Sequence, residues 1–518
     1  MAVRYLFLVL MLLVAGCGQQ AGNTIVFGRG GDSVGLDPAL ETDGESFKVC
    51  DNIYETLVTF VPERTDLAPG LAASWKASEG GLTWTFDLQT NAVFHDGTPF
   101  NADAVVFSLA RQFKEDHPFH KVEGAYQYWT SMSMSDIVKD VRKVDDFTVA
   151  IDLKRANAPF LSNLAMGFCS IVSPTAVKKW GNDFARHPVG TGPFRFVDWI
   201  KDDRIVLDRN PDYWGNVPKI ERLIFRSIPE NAVRLIALSQ GSIDGMDNLV
   251  PDFLPTIESD ENLKLLSQPG MNVGYLAMNM DKEPFQKIAV RRAINHAVNK
   301  QALVDNLYQG LAIPAVNPIP PTVWSYRKET PGYEYDPVKA KKMLAEAGFP
   351  NGFKTTLWAM PVPRPYMPQP MKIAQAIQAD LQAVGIEAEI VTFEWGTYLD
   401  KVQRGQHDMA LLGWTGDNGD PDNFLYVLLD KSATQKPANN IAFYRSEPLH
   451  EVLIAAQLES DQAKRTELYQ KAQEIVFQDA PWVPLVHAAQ TAAFRKRING
   501  FQLHPTGSKW FHNVEIAQ

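Results

Sequence analysis

Several things are scarce in this chain, and each shortage excludes something. Three cysteines in 518 residues fall in no metal-binding spacing. The formal net charge is −10, the wrong sign for the basic footprint that nucleic acid requires. After residue 15 no apolar run is long enough to span a membrane. There is no nucleophile-elbow serine, zinc motif or phosphate loop, so a secreted hydrolase is disfavoured and no enzymatic activity is expected. The glycine-rich turn Gly28–Pro38 lacks the full dinucleotide fingerprint, and the acidic run after Asp417 lacks the glycine an EF-hand loop needs at its sixth position. No metal, no cofactor and no internal repeat are expected.

What is present begins at the N-terminus. Arg4 precedes an apolar run from Tyr5 to Ala15, too short to cross a bilayer but the right length for a signal-peptide core. It ends Leu13-Val14-Ala15-Gly16-Cys17, which resembles a bacterial lipobox, with a polar spacer after it. Residues 1–17 therefore read as a signal peptide with a lipobox. Cys17 becomes the lipidated N-terminus, and more than one acyl chain tethers an exported protein stably to a membrane. Cys50 and Cys169 remain. Export permits a disulfide between them, but nothing in the sequence brings their Cα atoms within bonding range.

A chain this long exceeds one hydrophobic core, so two or three domains are expected. Alternating elements favour an α/β layered fold. Thr24–Phe27, Gly81–Leu88, Phe194–Val197, Thr355–Ala359, Ala388–Phe393, Asp408–Gly413 and Trp482–His487 read as strands. Ser46–Leu57 reads as a helix burying Phe47, Cys50, Ile53, Tyr54 and Leu57. Ile288–Leu303 reads as one amphipathic helix with Arg291, Arg292 and Lys300 on a solvated face. Met371–Val384, Asp400–Arg404 and Ala463–Phe477 also read as helical. Asn101 is a predicted cap, and Asp336-Pro337 opens a helix that stops at Gly348. His95-Asp96 is read as turn chemistry rather than catalysis.

Two short segments carry the chemistry. Trp358–Tyr366 offers one cation, Arg364, between two prolines. Gly413–Asn423 offers an anion, Asp417, in a Gly/Asn/Asp turn, with Asp420 and Asp422 read as turn residues. A zwitterion with an amine at one end and a carboxylate at the other needs these charges at a fixed separation. A dipeptide fits, since each extended residue spans only about 3.3–3.6 Å. The arginine fork bonds both carboxylate oxygens, and the prolines reduce the freedom lost on binding. Burying both charges unpaired costs several kcal/mol, so without ligand such a site is expected to stand open and wet.

Four blocks point further: Trp75–Asp103; Val189–Phe196 with Asn210–Gly215; Val290–Lys300 with Tyr308–Gly310; and Tyr335–Gly348. In this order they resemble family 5 of the bacterial extracellular solute-binding proteins, the peptide and nickel receptors of ABC transporters. Trp358–Tyr366 and Gly413–Asn423 are most similar to its dipeptide-binding branch.

The resemblance implies a two-lobed, type II (Venus-flytrap) periplasmic-binding-protein fold. Lobe I would be residues 24–273 plus 489–518, with a subdomain inserted at about 66–190, and lobe II residues 274–488. It implies a monomer that closes on its ligand and delivers it to an inner-membrane ABC permease. Asp417 would hold the ligand's α-amino group and Arg364 its α-carboxylate, flanked by Thr415 and Gly416. Tyr366, Trp395 and Trp414 would line side-chain pockets, and Gly35 and Leu36 would pair with the peptide main chain. Leu36 stands where that branch has a bulkier aromatic. Thr42, Asp43 and Gly44 match its Thr/Ser/Gly loop, where the Asp43 charge favours basic or metal-bearing ligands. The same family admits haem, a nickel chelate, glutathione or a longer oligopeptide as the alternative ligand.

Overall fold

The computed structural model describes residues 23–120 and 126–517, so Cys17 and the expected signal segment lie outside the described residues. One strand, Trp482–Arg495, belongs to both halves of the main sheet. Its first residues pair antiparallel with Asn272–Met278, and its last seven with Leu263–Pro269. The chain crosses from one half to the other there and at Gly270-Met271, between those two partner strands.

The first half adds Thr24–Arg29 parallel to Arg222–Ser227, followed by Arg204–Arg209 and Phe194–Ile200. Phe27, Phe225, Phe494, Phe501 and Phe511 pack together there. In the second half, Phe353–Trp358 runs parallel to Ile386–Val391 and Met409–Thr415, joined by the crossover helix Pro370–Ala383. Asn272–Met278 is buried along its whole length, and Tyr275 stacks on Trp482 at 3.7 Å. A separate four-stranded antiparallel sheet, Ala72–Ala77, Thr83–Leu88, Thr148–Leu153 and Val138–Asp145, sits within the first half's sequence.

Local cues place several elements as expected. The Asn101 side chain caps Ala102–Ala110, and Asp336 caps Pro337–Glu346. His95 Nε2 lies 2.9 Å from the Gly192 carbonyl in a turn. A Cβ on Gly190 would stand 2.1 Å from the Ile53 carbonyl oxygen, so the Gly190–Pro193 turn needs glycine for close approach.

Three expectations change. The helix at residue 46 runs Gly44–Ile53, starting from the Asp43 cap, and ends because Tyr54 is extended. The 288–303 helix breaks after Ala297: Val298 is extended, and Asn299 caps a second short helix. Arg291, Arg292 and Lys300 are not a solvated face. Arg291 donates to the carbonyls of Phe285, Gln286 and Asp479, and Arg292 to that of Gln478. These arginines satisfy the unpaired carbonyls at the end of the helix Gln462–Asp479, where a cation also suits the helix dipole. Lys300 Nζ is buried on the Ala315 carbonyl at 2.7 Å.

Cys50 and Cys169 are buried free thiols. In protein lacking residues 1–17, a thiol reagent is expected to label neither under native conditions and both in denaturant without reductant. Labelling that needs reductant would show that the two pair.

Candidate functional site

A cavity of about 950 Å³ lies between the two halves, within the range usual for ligand pockets. It gathers Arg364, Tyr366, Trp395, Trp414, Thr415 and Asp417 from the second half with Thr42, Gly44 and neighbouring residues of the first.

The Asp417 loop connects the strand Met409–Thr415 to the helix Asp422–Leu429, and little of it is free to move. Gly416 N donates to the Met271 carbonyl at 2.7 Å. The Asn423 side-chain oxygen accepts from Asp417 N and Trp414 Nε1, each at 3.0 Å. Asp420 and Asp422 are more than turn residues. Arg465 Nη2 reaches both Asp420 oxygens at 2.9 and 2.8 Å, and Gln457 donates to both Asp422 oxygens at 3.1 Å. No local pattern reveals this pairing, because Arg465 lies 45 positions further along.

Asp417 Oδ1 accepts from Tyr128 OH at 3.2 Å, whereas Oδ2 is buried without a partner. Burial, partly offset by the Tyr128 hydrogen bond, pushes the Asp417 carboxyl up to about 7. Arg364 is held by a tight turn in which its N–H and carbonyl bond those of Met367 at 3.0 and 2.8 Å. Its guanidinium donates to the Pro363 carbonyl at 2.9 Å and lies 4.9 Å from the centre of the Trp395 ring. Among the described residues it pairs with no carboxylate. Tyr366 is fixed by Tyr308 OH on its carbonyl, and its ring covers Gly413, where a Cβ would stand 2.3 Å away.

Gly35, Leu36 and Gly416 do not reach the cavity wall. Leu36 is fully buried; its N–H donates to the Ala185 carbonyl and its own carbonyl accepts from Tyr54 OH. Its N–H and carbonyl are both engaged within the fold. A Cβ on Gly35 would meet Glu41 at 2.2 Å, so that glycine serves internal packing. Sequence reasoning missed Tyr128, Phe168 and Lys509 on the wall and placed Phe47 in the core. Phe47 instead faces the cavity against Tyr128, whose ring stacks on Phe168. The spacing Gly44, Phe47-Lys48, Asp51 marks that wall-facing stripe, one residue out of phase with the apolar one.

The halves meet across the cavity through Tyr128–Asp417 and through Asn418 Nδ2 on Asn163 Oδ1 at 2.9 Å. Ala158 N also donates to the Gln457 carbonyl at 2.8 Å. The open site expected from the cost of buried charge is therefore not the conformer seen. Neutralisation of Asp417 reduces that cost.

Two half-sheets, one shared strand and a cavity between them define a type II periplasmic solute-binding receptor. The chain belongs to the bacterial extracellular solute-binding proteins, family 5, whose middle-region model matches residues 66–436. It is a substrate-binding protein of the ABC-importer type. It is 39% identical over 520 residues to the dipeptide-binding protein of Escherichia coli K12, covering 98% of this chain and 97% of that one. It is 39% identical over 513 residues to heme-binding protein A of Haemophilus influenzae, covering 96% and 93%. A Helicobacter pylori ABC-transporter-associated periplasmic binding protein, solved with the peptide STSA, superposes with a TM-score of 0.88 at 38% identity, over 96% of this chain and 98% of that one.

Replacing Arg465 by alanine strands Asp420 in the interior, so a loss of about 3–5 kcal/mol is expected in urea unfolding. The Asp417 carboxyl is raised from an ordinary 3.8 to about 7, so the folded state holds its proton more tightly than the unfolded chain. The resulting stabilisation is complete below about pH 3.8 and lost as pH rises through about 7. Asp417→Asn, which fixes a neutral side chain, is expected to stabilise the ligand-free protein by on the order of 2 kcal/mol at pH 8 and to change little at pH 4. Equal effects at both pH values would reject a raised pKa.

Proposed function

We propose that this receptor captures dipeptides, with Asp417 taking the α-amino group and Arg364 the α-carboxylate as lobes 24–273 plus 489–518 and 274–488 close. The observation that carries this reading is the pair of uncommitted groups on one cavity wall: Asp417 Oδ2 without a donor and Arg364 without a carboxylate. A free ligand amine supplies the missing donor, and a free carboxylate fits the guanidinium fork. The peptide-bound Helicobacter neighbour and the Escherichia coli relative support a peptide ligand. Trp395 and Tyr366 brace Arg364 and the Asp417 strand. The loaded monomer then docks an inner-membrane ABC permease, and a lipid on Cys17 keeps the receptor at the membrane.

The relative named for heme binding makes haem the alternative. Calorimetric titration of ligand-stripped protein lacking residues 1–17 separates the readings. Ala-Ala is expected to bind, and acetylation of its amine or amidation of its carboxyl to abolish the heat. Asp417→Asn should cost about 2–5 kcal/mol of Ala-Ala affinity. No heat with Ala-Ala, beside a spectral shift with haem, would reject the dipeptide assignment.

A further inference from the structure

The first half's share of the cavity wall carries a group of carboxylates. Asp43, Glu45 and Asp51, at the start and along one face of the helix Gly44–Ile53, line the cavity together with Asp247. Each keeps one buried oxygen that receives no hydrogen bond: Oδ2 of Asp43, Oε2 of Glu45, Oδ2 of Asp51 and Oδ1 of Asp247. Asp247 is the most demanding case, because the residue is only 1% exposed. Its other oxygen takes Lys48 Nζ at 2.8 Å and stands 3.7 Å from Lys509 Nζ.

The neighbouring lysines pair with Glu45 and Asp247 through the other oxygens and leave these four without a donor. Lys48 also bonds Glu45 at 2.7 Å, and Lys509 donates to the Gly507 carbonyl at 2.8 Å. The wall therefore presents surplus acceptors. A buried oxygen without a donor is costly, and a ligand donor arriving there recovers that cost. Phe47, on the same helix, packs against Tyr128, which donates to Asp417, so the acidic wall begins beside the group assigned to the ligand's amine. Asp51, held at about 7 by burial against the Ser508 hydrogen bond and the Lys509 charge, gains a countercharge if a cation enters.

We propose that the preferred ligand carries a second cation: a dipeptide with a lysine- or arginine-type side chain, whose charged end is received by Asp43, Glu45 and Asp51. This rests on the dipeptide reading, in which Asp417 is occupied by the α-amino group.

The test is calorimetric, on protein lacking residues 1–17. Lys-Ala and Ala-Lys are compared with their norleucine counterparts, which keep the chain length and remove the charge, with Ala-Ala as reference. At least one lysine peptide is expected to bind roughly tenfold or more tightly than its norleucine partner. In the Asp43→Asn/Asp51→Asn double variant that ratio should fall to about threefold or less; asparagine keeps the helix cap at residue 43. The ratio is the readout, so a general loss of affinity does not mimic the result. Norleucine peptides binding as tightly as lysine peptides, while Ala-Ala binds, would overturn the second-cation assignment and leave the dipeptide reading standing. A lysine preference that survives the double variant would overturn the assignment to this wall. No heat from any of the peptides, Ala-Ala included, would overturn both readings. Should the double variant fail to fold, the lysine-to-norleucine ratio of the unmodified protein alone decides.

Discussion

A carboxylate removed from water without a countercharge is the constraint that orders this structure. Asp417 is kept in that condition by a loop fastened at both sides, by the Asn423 amide and by the Arg465–Asp420 pair. Burial raises its proton affinity, and one hydrogen bond from Tyr128 leaves the second oxygen unsatisfied. The surrounding fold supplies the stability that tolerates such a group. The arginines capping the helix Gln462–Asp479 and the phenylalanine cluster of the first half lie away from the cavity. A receptor of this type gives up stability at the site and regains it from ligand contacts.

The same logic explains the order within the cavity walls. Rigid loops hold the charges, and the aromatics brace the loops rather than filling space at random. Gly413 exists in the form it does because the Tyr366 ring lies against it. Specificity in such a site comes less from apolar area than from which buried polar atoms a ligand leaves unpaired.

How much of this could be read from the sequence depended on how far apart the interacting residues lie. The Asp336-Pro337 helix start and the Asn101 cap were legible because cap and helix are adjacent. The strand–helix–strand run from 353 to 391 was legible from its change of period. The fold class followed from motif order. Arg364 and Asp417 stood out as charges in turn-rich segments, and both lie on the cavity wall. What was not legible involved distant partners. Asp420 looked like turn chemistry until Arg465 was placed beside it, and Leu36 looked available until Ala185 and Tyr54 were found on its backbone. Arg291 and Lys300 looked solvated because their carbonyl partners belong to other elements.

The shared strand Trp482–Arg495 has a consequence for how the molecule comes into being. Both halves of the main sheet lack an interior strand until the ribosome has added residue 495. Asn272–Met278 and Leu263–Pro269 each wait for the same late segment, across a separation of some two hundred residues. Neither half can be completed before that strand, so the two are finished together. A chain built this way ties the completion of both halves to a single event, the arrival of one strand.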